Sequence, residues 1–412
     1  MKQSNKNMET TSKQLLYDFE LTNQSNQEVM EIMNSCFDLL QMKFKNTEFM
    51  KFMFYRLQDT IHEFDKIMYE SSVGLVEDNL VRKLKPSIFV DKEIVEYVDL
   101  HLDYVYQFHF TLYEKYDFHV NIICKYDEPC NIVAMINQII LLMVFCLKQY
   151  KESNDKQRQR FVIDLYMTDI AKGIKNKMTD SIEGKHINSG IYYYDTNNDE
   201  SHIVIFRRDE WFKTLIHECM HNFNLDMDIS RINFITLLGD TFNVRSTFDL
   251  RESFSEFWAR LINLSFVSIL SKKKMTLMEF MHVFSLNLNI EMIYSVKQAN
   301  LILSQFDLDY EHIIHKQYRV TSLKRYSERS NAFVYYIIPA LMIIDCDRTL
   351  NWFYNDKYDC INFEKSEREI MIYAWYIKQL SNDAHVKKIF KEVKAKKLKS
   401  LYYRMSIFES VI

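Results

Sequence analysis

The segment His217-Glu218-Cys219-Met220-His221 is an HExxH string. On a helix, residues four apart stand one turn above each other, so the two imidazoles project side by side. They can then share one metal ion at about 2.0–2.1 Å each. Glu218 lies about 100° around the helix from His217, where its carboxylate can lean toward a water without ligating the metal, as a general base must. Trp211, Leu215, Cys219 and Phe223 fall on the rear face, which makes Cys219 a core thiol rather than a ligand. With 12 His in 412 residues, the string arises by chance in roughly one such chain in forty. Its surroundings must therefore carry part of the argument.

A catalytic zinc usually has three protein ligands and one open position. The extended pattern HExxHxxGxxH would need Gly at 224 and His or Asp at 227, where this chain has Asn224 and Met227. The better source is Leu250-Arg251-Glu252-Ser253-Phe254-Ser255-Glu256-Phe257. Glu252 and Glu256 are one helical turn apart. One can ligate zinc while the other hydrogen-bonds the free ring nitrogen of a ligand histidine. Asp226, Asp228, Asp240 and Asp249 are poorer alternatives.

The run from Glu252 to Phe257 is similar to the E-G-F-A-E-Y run that carries the glutamate ligand in gluzincin aminopeptidases, and the chain resembles gluzincin metallopeptidases. The resemblance implies Zn2+ as cofactor, a peptide or protein substrate, Glu252 as third ligand and Glu256 as the supporting acid. The gap from His221 is wider than in those enzymes, which leaves the choice between the two glutamates open. Ile203 to Phe212, Ile187-Asn188-Ser189-Gly190 and Phe333-Val334-Tyr335-Tyr336 also look like uncharacterised metallopeptidases of giant DNA viruses, implying a host-cytoplasmic or virion setting. Tyr335 or Tyr336 is the expected oxyanion donor by that resemblance, with Arg329 and His282 weaker candidates. In zincins a strand beside the HExxH helix binds extended peptide by strand addition. Asn188, Ser189 and Gly190 are the expected substrate-binding edge. No GxMEN-type stretch precedes the motif, which weakens the aminopeptidase version.

Which elements must hold these groups? His186 to Tyr194 and His202 to Arg207 are β-rich runs joined by the polar turn Asp195 to Ser201, and read as a hairpin. Asp209 is placed to cap a helix carrying the motif, and Asn224 to end it in a left-handed conformation. Further helices are expected near 248–270, 276–285, 288–304, 328–345, 365–381 and 384–404. Only 5 Gly and 3 Pro occur; tight turns usually need more, so long helices should dominate. The expected fold is mainly α with a small β-hairpin or sheet (α+β). It comprises a disordered tail (1–13), an N-terminal helical domain (14–178) and a zincin-like catalytic domain with C-terminal helices (179–412).

Net charge is -4, from 52 basic and 56 acidic residues, so no overall field selects nucleic acid. Lys387 to Arg404 carries seven Lys against the single acid Glu392, and a basic helix there could meet an anionic partner. Seven scattered Cys without a CxxC pair indicate reduced, mostly buried thiols and a cytoplasmic setting. The N-terminus lacks an apolar signal region, and the apolar run Ile139 to Leu147 is too short to span a bilayer, which takes about 20 residues. No phosphate-binding loop or nucleophile elbow occurs. Two other readings compete. One is an inactive metalloprotease relative kept as a binding or virion protein, against which the intact Glu218 speaks. The other is a helical interaction protein with a fortuitous HExxH, which predicts no zinc and a Glu252 far from the histidines.

Overall fold

The computed structural model describes residues 21–40, 44–76, 84, 85, 87, 89–125, 131–149, 159–173, 181–227, 233–355, 360, 361, 366–399 and 402–409. Its frame is a six-stranded mixed sheet. The strands are β1 (Glu70–Leu75), β2 (Tyr104–Leu112), β3 (Tyr116–Cys124), β4 (Gln159–Tyr166), β5 (Gly190–Asp195) and β6 (Glu200–Ile205), in the order β1-β2-β3-β4-β6-β5. Strands β3, β4 and β6 run parallel, while β1–β2, β2–β3 and β5–β6 pair antiparallel. Side chains alternate between the two faces. Phe108, Phe110, Phe118, Val120, Phe161, Ile163, Ile203 and Ile205 enter the main core. Val105, Ile123, Tyr166 and Val204 face the other way, into a smaller cluster with Ile94 and Val98 of α3 (Lys92–His101).

On the main face lie α2 (Thr47–Phe64), which follows α1 (Asn23–Ser35), and α4 (Ile132–Gln149). Helix α4 is long and apolar enough to cross a membrane by length and composition. Here residues 135–147 are all buried and the helix packs on α2 and on α5 (Trp211–Asn222). Helix α5 lies along β5 and β6, then packs on α6 (Leu250–Leu270). Against α6 pack α7 (Leu277–Ser304) and α8 (Phe333–Ile344), whose first five residues form a π-turn. Three further helices follow: α9 (Cys346–Phe353), α10 (Glu367–Asn382) and α11 (Ala384–Ala395).

The expected α+β class, the 186–207 hairpin and the helices after it are present. The helical reading of 14–178 is corrected, because that stretch supplies four of the six strands. Parallel pairing of β4 with β6 carries the sheet across the boundary expected at 178/179. Helices expected at 276–285 and 288–304 are one helix, and 384–404 stops being helical after Ala395. The expected tail (1–13), Asp228, Pro86, Pro129 and Cys130 lie outside the described residues. Cys36, Cys124, Cys146, Cys219 and Cys346 are buried, as expected.

Beyond α11 the chain turns back into the core. The Arg404 guanidinium is fully buried, paired with Glu28 and, at 2.8 Å, with Glu409, and it donates to Ser25 Oγ at 3.1 Å. The basic stretch is thus partly neutralised internally: Lys394 meets Asp309 at 3.0 Å and Lys396 meets Asp38 at 2.9 Å. Removing one partner from a buried ion pair leaves an uncompensated charge. Arg404→Met should therefore cost about 3–5 kcal/mol of unfolding free energy, read from urea denaturation; a loss below about 1 kcal/mol, as for an exposed pair, would contradict this account.

Candidate metal centre

Helix α5 starts in an unexpected way. Asp209 does not cap it; the preceding position is held by Glu210, in a left-handed conformation with φ 60° and no side-chain cap. The Glu210 carboxylate turns inward, accepting from the backbone N–H groups of Met405 (2.6 Å) and Ser406 (2.7 Å) and pairing with Lys172 at 2.9 Å. Its own N–H donates to Glu409 Oε1 at 2.6 Å. The far end follows the sequence reading, since Asn224 has φ 49° just after the helix.

Between these ends, His217 and Glu218 are buried and His221 is nearly so. His217 Nε2 and His221 Nε2 are 3.2 Å apart, and Glu252 Oε2 on α6 lies 3.3 Å from the first and 3.5 Å from the second. A tetrahedral ion with bonds of about 2.0–2.1 Å separates its donors by roughly 3.3 Å. The three atoms therefore form a triangle of the size such an ion needs. Two nitrogens and one carboxylate oxygen are the donor types zinc accepts in hydrolytic sites.

Each of the three donor side chains stands beside a further group. Glu256 Oε2 lies 3.3 Å from His217 Nδ1. Glu256 is gripped by Lys213 (2.5 Å) and Arg260 (3.0 Å). Burial alone would raise its pKa, but these two cations outweigh it and hold the carboxylate far below its ordinary range. Asp226 sits 2.6 Å from His221 Nδ1 and so orients that imidazole rather than supplying the third ligand. Tyr335 donates its hydroxyl to Glu252 Oε2 at 3.1 Å. Burial opposes charge on Glu252 too, yet His221 and His217 keep it ionised, well below the usual value.

The other sequence candidates separate cleanly. Asn188, Ser189 and Gly190 line the same cavity of about 440 Å³ as His217, Glu218, His221 and Glu252. Tyr336 does not reach it, because its hydroxyl donates to the Tyr403 carbonyl at 3.0 Å. Arg329 is exposed beside Glu183, Asp240 pairs with Arg319, and Asp249 caps α6. His282 does not line the cavity. The sequence offered Asp226 only as a poorer third ligand, and Lys213, Arg260 and Arg251 were missed. Lys213 and Arg260 stand four residues from His217 and Glu256 on their own helices, a spacing that could have revealed them. Arg251 is half-exposed at the rim, with Nη2 3.7 Å from Glu252 Oε1.

Gly190 shows how closely β5 passes the motif. A Cβ there would come within 2.8 Å of Ile205 Cδ1 and Thr214 Cγ2 and 3.1 Å of Glu218 Oε1. The buried hydroxyls of Ser189 and Thr214, both on the cavity wall, have no protein hydrogen-bond partner.

Zinc held by this cleft should be lost in Glu252→Ala. Competition with a chromogenic chelator should show about 10–100-fold weaker binding in Asp226→Ala, the usual cost of losing an orienting group. Burial opposes a charged His221, but Glu252 and Asp226 raise its pKa to about 10. Zinc uptake at pH 7 should accordingly release protons, read as a calorimetric enthalpy that varies with the buffer. Compared with protein-family models, curated proteins and solved structures, the chain matches none, so its functional reading comes from this geometry.

Proposed function

We propose that the chain is a zinc-dependent peptidase of the gluzincin type that cleaves peptide laid along β5. The observation that carries the reading is the triangle of His217, His221 and Glu252 donors, with edges of 3.2, 3.3 and 3.5 Å. A fortuitous HExxH gives no reason for Glu252, 35 residues from His217 in sequence, to stand beside both histidines. When bound, zinc supplies a Lewis acid that acidifies water and polarises a carbonyl.

The chain's own groups account for the remaining steps. Strand β5 ends the sheet among the described residues. Phe206 N–H donates to the Ser189 carbonyl at 2.9 Å, so the alternation of the ladder turns the backbone of Gly190 and Tyr192 to the open side. An extended peptide can pair there, as in strand addition. Glu218, bordering both β5 and the histidines, accepts the proton of the attacking water and returns it to the leaving amine. Burial raises the Glu218 carboxyl above its ordinary value, against the lowering effect of His217 and His221, which suits a group that both takes and gives a proton. The Tyr335 hydroxyl, beside Glu252, is the donor available to a developing oxyanion.

The test is hydrolysis of an unstructured protein such as casein by the zinc-loaded chain. Glu218→Gln should keep its zinc and lose about 10²–10⁴-fold in rate; equal rates in both proteins would end the peptidase reading. Gly190→Ala should also keep zinc yet lose roughly 10–100-fold in kcat/KM, because a displaced β5 misplaces both substrate and Glu218. Unchanged kcat/KM would mean that β5 is not the substrate strand.

A further inference from the structure

The face of the sheet turned away from α5 carries a second group of His and Asp side chains, donor types that a metal ion takes. Register places His109 of β2 directly opposite His119 of β3, and Asp117 lies two residues before His119 on the same face. His109 Nε2 is 2.7 Å from Asp117 Oδ1, and His119 Nε2 is 3.2 Å from Asp117 Oδ2. The imidazoles stack with centroids 4.7 Å apart, so both present Nε2 to one carboxylate. We propose that His109, Asp117 and His119 form a second cation site, for a divalent transition ion of the zinc class, which clamps β2 to β3.

Three observations favour an ion here. One nitrogen from each imidazole and a carboxylate oxygen lie within 4.8 Å of one another, which makes a three-ligand set. Two nitrogens with one oxygen select zinc-like ions over calcium or magnesium, which take oxygen ligands. The other ring nitrogen of His109 faces Glu70, its cross-strand neighbour on β1, at 3.9 Å, where an orienting carboxylate belongs. The histidine side chains are 39% and 33% exposed, so an ion can enter and water can complete its shell. Arg160, next to Asp117 in the ladder, is turned onto Glu200 at 2.7 Å. The shortest donor pair would have to open from 2.7 Å to roughly 3.3 Å for a tetrahedral ion, a shift within reach of a half-exposed side chain. A metal-free hydrogen-bonded trio would make the same contacts, and binding measurements separate the two.

The experiment is zinc and cobalt titration of the full chain carrying His217→Ala, which disables the cleft; Glu252→Ala serves as a second background should the first fold poorly. Each background is expected to bind about one zinc, with cobalt giving visible d–d absorption, and zinc should raise its thermal midpoint. Adding His119→Ala or Asp117→Asn should weaken that binding at least about tenfold and abolish the thermal shift. No saturable binding in either background, or binding indifferent to His119 and Asp117, would overturn the proposal. Failure of the cleft as a zinc site would look different: wild type and His217→Ala would then bind equal zinc, lost on adding His119→Ala.

Discussion

Everything at the cleft depends on the mutual position of α5 and α6, and that position is held by one buried carboxylate. Glu256 receives Lys213 from α5 and Arg260 from its own helix, and stands beside His217 Nδ1. A donor triangle with edges near 3.3 Å has little tolerance: a slip of an ångström between the helices would take Glu252 out of reach of both histidines. Apolar packing alone is soft at that scale, because ridges and grooves accept a range of angles. A desolvated carboxylate between two cations is not soft, since a move that lengthens either contact leaves charge uncompensated. Arg260 extends the same restraint to α8, donating to the Tyr335 carbonyl at 3.0 Å within the π-turn. Such turns recur at functional sites because one extra residue re-aims its neighbours. Here Tyr335 meets Glu252 while Tyr336 is directed to the Tyr403 carbonyl.

Much of the centre could be read in the sequence because its chemistry is periodic. His217 and His221 share a helix face by spacing, and Glu252 with Glu256 repeats the device on α6. The structure sets Glu252 Oε2 within 3.5 Å of both imidazole Nε2 atoms and Glu256 Oε2 beside His217 Nδ1. Asp226 was harder to read. It lies past the helix end, and only the reversal at Asn224 swings it back to His221.

The strands of the first half escaped for a related reason. Phe161-Val162-Ile163 in β4 is apolar on both faces, so period-two alternation is lost and a short run reads as helix or strand alike. Between β2 and β3 the turn residues Tyr113 and Glu114 have φ of 53° and 56°, the left-handed values for which hairpins usually recruit Gly or Asn. Few glycines suggested few tight turns. Among the described residues the turns are made anyway, by Tyr113, Glu114, Asp199 and Lys274, while no glycine has a positive φ. Composition limits the expected cost of a turn, and tertiary packing decides whether that cost is met.

The inward return of residues 404–409 bears on the order in which the molecule can be completed. Glu210 waits for backbone partners 195 and 196 positions later in the chain, and Met405 from that segment lines the cavity beside Lys213. Until translation has passed that point, the left-handed Glu210 at the start of α5 lacks its two N–H partners, and Met405 is missing from one wall of the cleft. His217 and His221 are thus made early and the wall that encloses them late. A nascent chain holds the motif well before it holds a finished cavity.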